Sequence, residues 1–189
     1  MIFQYAHLRS DAIRLIRIHA RSTYKDLHVT LEHQSKYSEP DVHYSVLSYQ
    51  PAGPDMDRQG VTLNGRTRTI DFNAWSALAD AAKNSTDSDP FWLDTLCINQ
   101  QDKAEVMQQH RHRGKIYAGA EKVLLHLPPG NGKDQVPGDL ASRAQAYISQ
   151  ASDREALLQA KKVVVVLDGQ RCDLGARDLE ESMYPRESL

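Results

Sequence analysis

Cysteine is scarce in this sequence: Cys97 and Cys172 are the two found in 189 residues. They lie far apart and in no metal-ligand spacing, which argues against a disulfide-stapled module or a structural zinc site and predicts a reducing compartment. Long apolar runs are missing as well, and nothing approaches the roughly 18 residues a membrane span needs. The N-terminal stretch MIFQYAHLRSDAIRLIRIHAR scatters charges and has no apolar core of the kind a signal peptide carries. Basic excess is absent, with 23 Lys and Arg against 25 Asp and Glu, so a nucleic-acid binder that works by neutralising phosphate is not expected. No Gly-x-Gly-x-x-Gly, Walker loop, His-Glu-x-x-His or Gly-x-Ser-x-Gly pattern occurs, which removes sequence support for the usual phosphate, zinc-protease and serine-hydrolase chemistries. The expectation is a cytoplasmic protein without bound cofactor, metal, nucleic acid or membrane span.

What is present is a globular composition, 40% apolar and 25% charged, long enough for one medium domain with a core. Strands are predicted over 13–19, 26–32 and 42–50 from apolar alternation and β-branched content. VTLNGRTRTI, 61–70, places Asn64-Gly65 between two alternating arms, the signature of a type I′ hairpin. A helix follows over 71–84, capped by Asn73 or Asp71, with Trp75, Leu78, Ala79 and Ala82 on one face. FWLDTL, 91–96, reads as a buried strand, 102–118 as a helix, and KVLLHL, 122–127, as another strand. PGNGKDQVPGD reads as a linker, 138–161 as a helix, 161–169 as a very apolar strand, and the residues from Arg171 as a loose charged tail. Strands alternating with helices predict an α/β fold with a mainly parallel sheet flanked by helices, plus an N-terminal β extension and a hairpin.

The stretch DPFWLDTLCINQQDKAE, 89–105, carries the candidate chemistry. Ligand groups in open α/β sheets collect beyond the carboxyl ends of strands, where Asp94 to Asp102 fall if FWLDTL is a central strand. A carboxylate inside a strand costs several kcal/mol unless it is paired or hydrogen-bonded. Asp94 is therefore either a functional carboxylate with an altered pKa or an acceptor of backbone N–H groups that fixes the junction. Asn99 and Gln100 donate and accept, which suits a neutral polar ligand or the locking of a loop. Asp102 is a good N-cap, and Glu105 three positions later completes a capping-box pattern. Glu105 and Gln109 are also i, i+4 and can look into one cleft. Cys97 has no base near it in the sequence and reads as a buried structural cysteine. His110-Arg111-His112-Arg113 reads as solvated surface, because His-x-His on a helix points the two rings about 200° apart.

The segment WLDTLCINQQDKAEVMQQHRHRGKIYAGAEKVLLHL resembles the fungal heterokaryon-incompatibility (HET) domain family. That family's pattern is W-I-D-x-x-C-I-N-Q-x-D-x-x-E-R-x-x-Q, then I-Y-x-x-A and V-x-x-W-L-G. Trp92, Asp94, Cys97, Ile98, Asn99, Gln100, Asp102, Glu105, Gln109, Ile116, Tyr117, Ala120, Val123 and Leu127 fall at its positions. Upstream, Tyr44, Leu47, Ser48 and Tyr49 match Y-x-A-L-S-Y-V-W-G. The resemblance covers roughly 5–128. Departures are Gln50-Pro51-Ala52-Gly53 in place of Val-Trp-Gly, Val106 for an arginine, His110 and Arg113 at apolar positions, and His126-Leu127-Pro128 for Trp-Leu-Gly. The later R-x-W-x-x-Q-E block is absent. The expected organisation is a shortened, divergent HET-like domain over 1–130, followed by linker, helix, apolar strand and tail over 131–189.

The resemblance implies a signalling role in fungal non-self recognition and regulated cell death, exerted through self-association or a protein partner. It also implies TIR-like, flavodoxin-like layering. By that relation the alternative is an enzyme of the NAD-glycohydrolase type, with NAD as substrate, Glu105 and Asp94 as catalytic carboxylates, and Asn99, Gln100, Ser48 and Tyr49 binding the ligand. A further alternative is an inactive relic. Trp92, Cys97, Asp102, Gln109 and Tyr117 are carried as motif positions.

Overall fold

The computed structural model describes residues 3–20, 22–23, 25–34, 42–53, 57–84, 86, 89–127, 140–167 and 170–175. β1 (Ile13–Ile18) pairs antiparallel with β2 (His28–Gln34), and all of β1 except Arg17 is buried. Arg14 is therefore inside the protein, a position that forces it to find partners. After β3 (Ser45–Tyr49) comes the hairpin of β4 (Arg58–Leu63) and β5 (Arg66–Asp71). Its turn residues Asn64 and Gly65 both hold positive φ, 48° and 75°, as a type I′ turn requires. α1 (Phe72–Asn84) begins where Asp71 Oδ1 accepts the N–H groups of Asn73 at 2.8 Å and Ala74 at 3.3 Å. Asp71, of the two candidates, is the cap.

The rest of the chain supplies β6 (Pro90–Trp92), α2 (Asp94–Cys97), α3 (Lys103–Gly119), β7 (Lys122–His126), α4 (Leu140–Gln150), α5 (Arg154–Leu157), β8 (Val163–Leu167) and β9 (Gln170–Leu174). The strands form one sheet in the order β5-β4-β2-β1-β6-β3-β7-β8-β9. Four neighbours, β6-β3-β7-β8, run parallel. By chain order they read second, first, third, fourth, the order of doubly wound flavodoxin-like sheets. Successive residues Leu47 and Ser48 point to opposite faces. Leu47 lies with Ala77 and Asp80 of α1, while Ser48 reaches Asp153 at the start of α5. Helices thus cover both faces, α1 on one and α3 with α5 on the other.

Several expectations change. The sheet is mixed rather than mainly parallel, and antiparallel ladders hold more of its paired residues. The reason lies at the two ends: the β1–β2 pair enters beside β6, running against it, and β9 folds back on β8. The residues from 170 to 174 form that strand instead of a loose tail. FWLDTL is not a strand. Its ladder stops at Trp92, and Leu93 to Cys97 close a helical turn through the Cys97 N–H to Leu93 O bond of 2.8 Å. Asp94 Oδ1 accepts the N–H of Thr95 at 2.7 Å, a local bond that competes with sheet pairing. The long helix over 138–161 is broken into α4 and α5 at Ala151–Asp153, where Asp153 is recruited by other groups. The linker over 129–139 lies outside the described residues.

Candidate functional site at the carboxyl ends of the parallel strands

β3 ends in Ser48 and Tyr49, and the chain leaves β6 through Leu93 into Asp94. These ends lie side by side because β3 and β6 are paired in parallel. Asp94 Oδ1 accepts a 3.2 Å hydrogen bond from Tyr49 Oη in addition to the Thr95 N–H. Its Oδ2 lies 3.3 Å from Arg113 Nη2. Beside it, Asp153 Oδ2 accepts from Ser48 Oγ at 2.8 Å and from Tyr117 Oη at 2.7 Å. Two carboxylates, three hydroxyls and one guanidinium thereby converge where the strand order reverses, the usual place for a ligand in such sheets.

The electrostatics are tense. Burial raises the Asp94 carboxyl above the usual range and outweighs the opposing pull of Arg113, Thr95 N–H and the Tyr49 hydroxyl; the Asp153 charge adds to the rise. Tyr49 is pushed up by burial and then by Asp94, and Tyr117 by burial and then by Asp153. Tyr147 of α4 is raised by burial and by both aspartates. Among the described residues, the buried Nε of Arg113 has no hydrogen-bond partner, nor has the indole Nε1 of Trp92, whose ring meets Tyr117 edge-on at 6.2 Å. The phenols are fixed as donors across the physiological range, and Asp94 is the carboxylate whose environment suits it least.

Glu105 has a different setting. It does not complete a capping box: the Asp102 N–H goes to Asn99 O at 3.0 Å, while Asp102 alone caps α3 through Ala104 and Glu105 N–H. The Glu105 carboxylate instead grips Arg14 with both oxygens, at 2.6 and 3.0 Å, and takes the Asn99 N–H at 2.6 Å. Gln109 is 1% exposed and donates to Ala12 O at 3.0 Å. Asn99 Oδ1 accepts the Gln101 N–H, and Gln100 Nε2 donates to Asp94 O, so both amides lock the α2–α3 loop. Cys97 Sγ is buried against the Leu93 N–H at 3.4 Å, and burial pushes its thiol up to about 12. It is not a nucleophile in this setting.

The structure thus gathers Ser48, Tyr49, Asp94 and Tyr117 into one network and sends Glu105, Asn99 and Gln109 elsewhere. Sequence reasoning missed Arg113, Asp153 and Tyr147. Arg113 was hidden by its neighbours: His110 and Arg111 are exposed as expected, whereas Arg113 is largely buried on the face toward Asp94. Asp153 carried no signal beyond being an aspartate inside an apparent helix.

The family model described as "Heterokaryon incompatibility protein (HET)" matches residues 44–182. This chain belongs to the heterokaryon incompatibility family. The match takes in the whole network, from Ser48 to Asp153, and extends past residue 130 through β8 and β9. A 65-residue stretch is 34% identical to "Heterokaryon incompatibility protein 6, OR allele" of Neurospora crassa. That stretch is 34% of this chain and 10% of the relative, so the HET chain described here spans a small part of that protein's length. No solved structure matches.

Proposed function

We propose that this chain is a signalling module of heterokaryon incompatibility, which promotes regulated cell death in a fungal cell through self-association or a protein partner. The observation that carries the reading is the Asp94 network. Trp92, Asp94, Tyr117, Ser48 and Tyr49 stand at positions of the family pattern, and they meet around a partly exposed carboxylate that the fold leaves poorly compensated. A fold tolerates such a group where function requires it.

Conditional expression in a filamentous fungus tests this. The wild type should arrest growth, and Asp94→Ala, if equally abundant and soluble, should not. A harmless wild type would sink the signalling reading. A fully toxic Asp94→Ala would detach it from this network. The NAD-cleaving alternative draws no support from Glu105, whose two oxygens are occupied by Arg14 and the Asn99 N–H. Release of nicotinamide from NAD by the purified wild type, lost in Asp94→Ala, would restore that alternative with Asp94 in the leading role.

A further inference from the structure

Glu105, Gln109 and Cys97, three positions of the motif, remain without a role in the network, yet each is linked to the N-terminal arm: Gln109 donates to Ala12 O, and Arg14, gripped by Glu105, donates to both Cys97 O and Ala6 O. Residues 3–12 form neither helix nor strand. Among the described residues, no backbone–backbone hydrogen bond ties this arm to the rest of the chain; the one it has is internal, Ala12 N–H to Arg9 O. Side chains hold it instead. Tyr5 Oη donates to Leu96 O at 2.9 Å, Arg14 Nη2 to Ala6 O at 2.7 Å, and Gln109 Nε2 to Ala12 O at 3.0 Å. The Tyr5 ring also stacks with the Arg14 guanidinium, 4.9 Å from its centroid. Leu8 and Ala12 are the arm's buried apolar residues.

We propose that residues 3–12 are a releasable strap over the Leu96–Cys97 turn of the motif, latched by Tyr5, Arg14 and Gln109. The inference is independent of the signalling reading. Two features make release feasible without global unfolding. The strap's hydrogen bonds to the rest of the chain, a long 3.4 Å one from Gln108 Nε2 to Arg9 O included, join side chains to backbone, and its other polar contacts are the Arg14 and Arg68 guanidiniums over the Tyr5 ring; attachments without backbone pairing are the character of segments that open locally. In addition, Arg14 stays in β1 with its bidentate partner Glu105 when Ala6 O leaves, so opening strands no uncompensated charge. The strap lies over α2, whose first residue is Asp94, and its release therefore loosens the short helix that presents that carboxylate to Tyr49 and Arg113. Glu105 and Gln109 become positioning residues: one anchors the arginine of the latch, the other holds the end of the strap.

The test uses the full chain with Cys172→Ser, leaving Cys97 as the single thiol. Alkylation by N-ethylmaleimide is followed by mass spectrometry at increasing low urea concentrations, alongside amide exchange of Val163–Leu167 in β8 as the measure of global opening. Cys97 should label at a rate nearly independent of urea and faster than β8 exchange predicts. Tyr5→Phe and Gln109→Ala should each raise that rate by up to about tenfold, the effect of one lost hydrogen bond on an opening equilibrium, with β8 exchange unchanged. Labelling that follows the urea slope of β8 exchange in all three proteins, or that is absent until global unfolding, would overturn the strap.

Discussion

Two acid–arginine pairs bracket the same motif, and they are built to opposite standards. Arg14 and Glu105 are nearly sealed from water, with side-chain exposures of 0% and 8%. Their contact is bidentate, and further partners at Cys97 O, Ala6 O and the Asn99 N–H use most of the remaining capacity. Asp94 and Arg113 share a single 3.3 Å contact, with side-chain exposures of 30% and 18%, among raised phenols and beside a second carboxylate. Each arginine leaves its buried Nε without a hydrogen-bond partner among the described residues, so the contrast lies in the carboxylates, and one that is sealed and gripped by both oxygens holds a fold together. One left strained at a strand terminus is available to something else. The two cases show that a motif carboxylate cannot be assigned a role from its position in the pattern; its hydrogen-bond inventory decides.

Breaking the sealed pair should give the largest effect. Arg14→Ala leaves Glu105 buried and uncompensated, and we predict a loss of about 3–5 kcal/mol in urea unfolding. The double variant Arg14→Met, Glu105→Leu should recover much of that loss; additive costs would show that the pair is not coupled. Next in size is Asp153→Ala. It deprives the buried Ser48 and Tyr117 hydroxyls of their shared acceptor, at a predicted cost of about 3 kcal/mol. Asp153→Asn should cost less, since one oxygen remains. A neutral Asp153→Ala would mean that the α5 junction is held by packing alone.

How much of this was legible follows from the physics of each element. The Asn64-Gly65 turn and strand β8, four valines and a leucine, are local, and the sequence displays their causes directly. FWLDTL misled because three apolar residues before an aspartate look the same in a strand as in a strand followed by one helical turn. What separates them is the Asp94 bond to the Thr95 N–H, a contact with no compositional trace. Arg14 falls in a strand predicted from apolar alternation, a pattern that gives no sign that both faces of β1 are buried. Its partner Glu105 lies 91 positions away, beyond any local pattern. Tyr49, Ser48 and Asp94 were legible as motif positions, whereas Asp153 and Arg113 depend on how α3 and α5 pack over the strand ends.

A smaller effect isolates the cap from the pair beside it. Asp102→Ala removes the acceptor of the Ala104 and Glu105 N–H groups and should cost about 1 kcal/mol. Asp102→Asn should be nearly silent. If Asp102→Ala instead costs as much as Arg14→Ala, the cap and the Arg14–Glu105 pair are one cooperative unit rather than neighbours.

The smallest effect is the most diagnostic of the comparison, because it concerns the sign of a slope. Asp94 has its carboxyl raised in the folded protein, burial being the main cause, whereas in the unfolded chain it titrates near 3.9. Below that value both states carry the proton and the burial penalty is absent. As pH rises through the window between the unfolded value and the raised folded one, the unfolded chain ionises first, the native state binds more protons, and stability falls. Asp94→Asn removes the titrating group. The stability of the wild type relative to this variant should therefore decline from pH 4 towards pH 7, read from urea midpoints at each pH. A relative stability that instead grows with pH would mean that Arg113 overcompensates burial, that Asp94 is an ordinary salt-bridged carboxylate, and that the contrast between the two pairs is one of exposure alone.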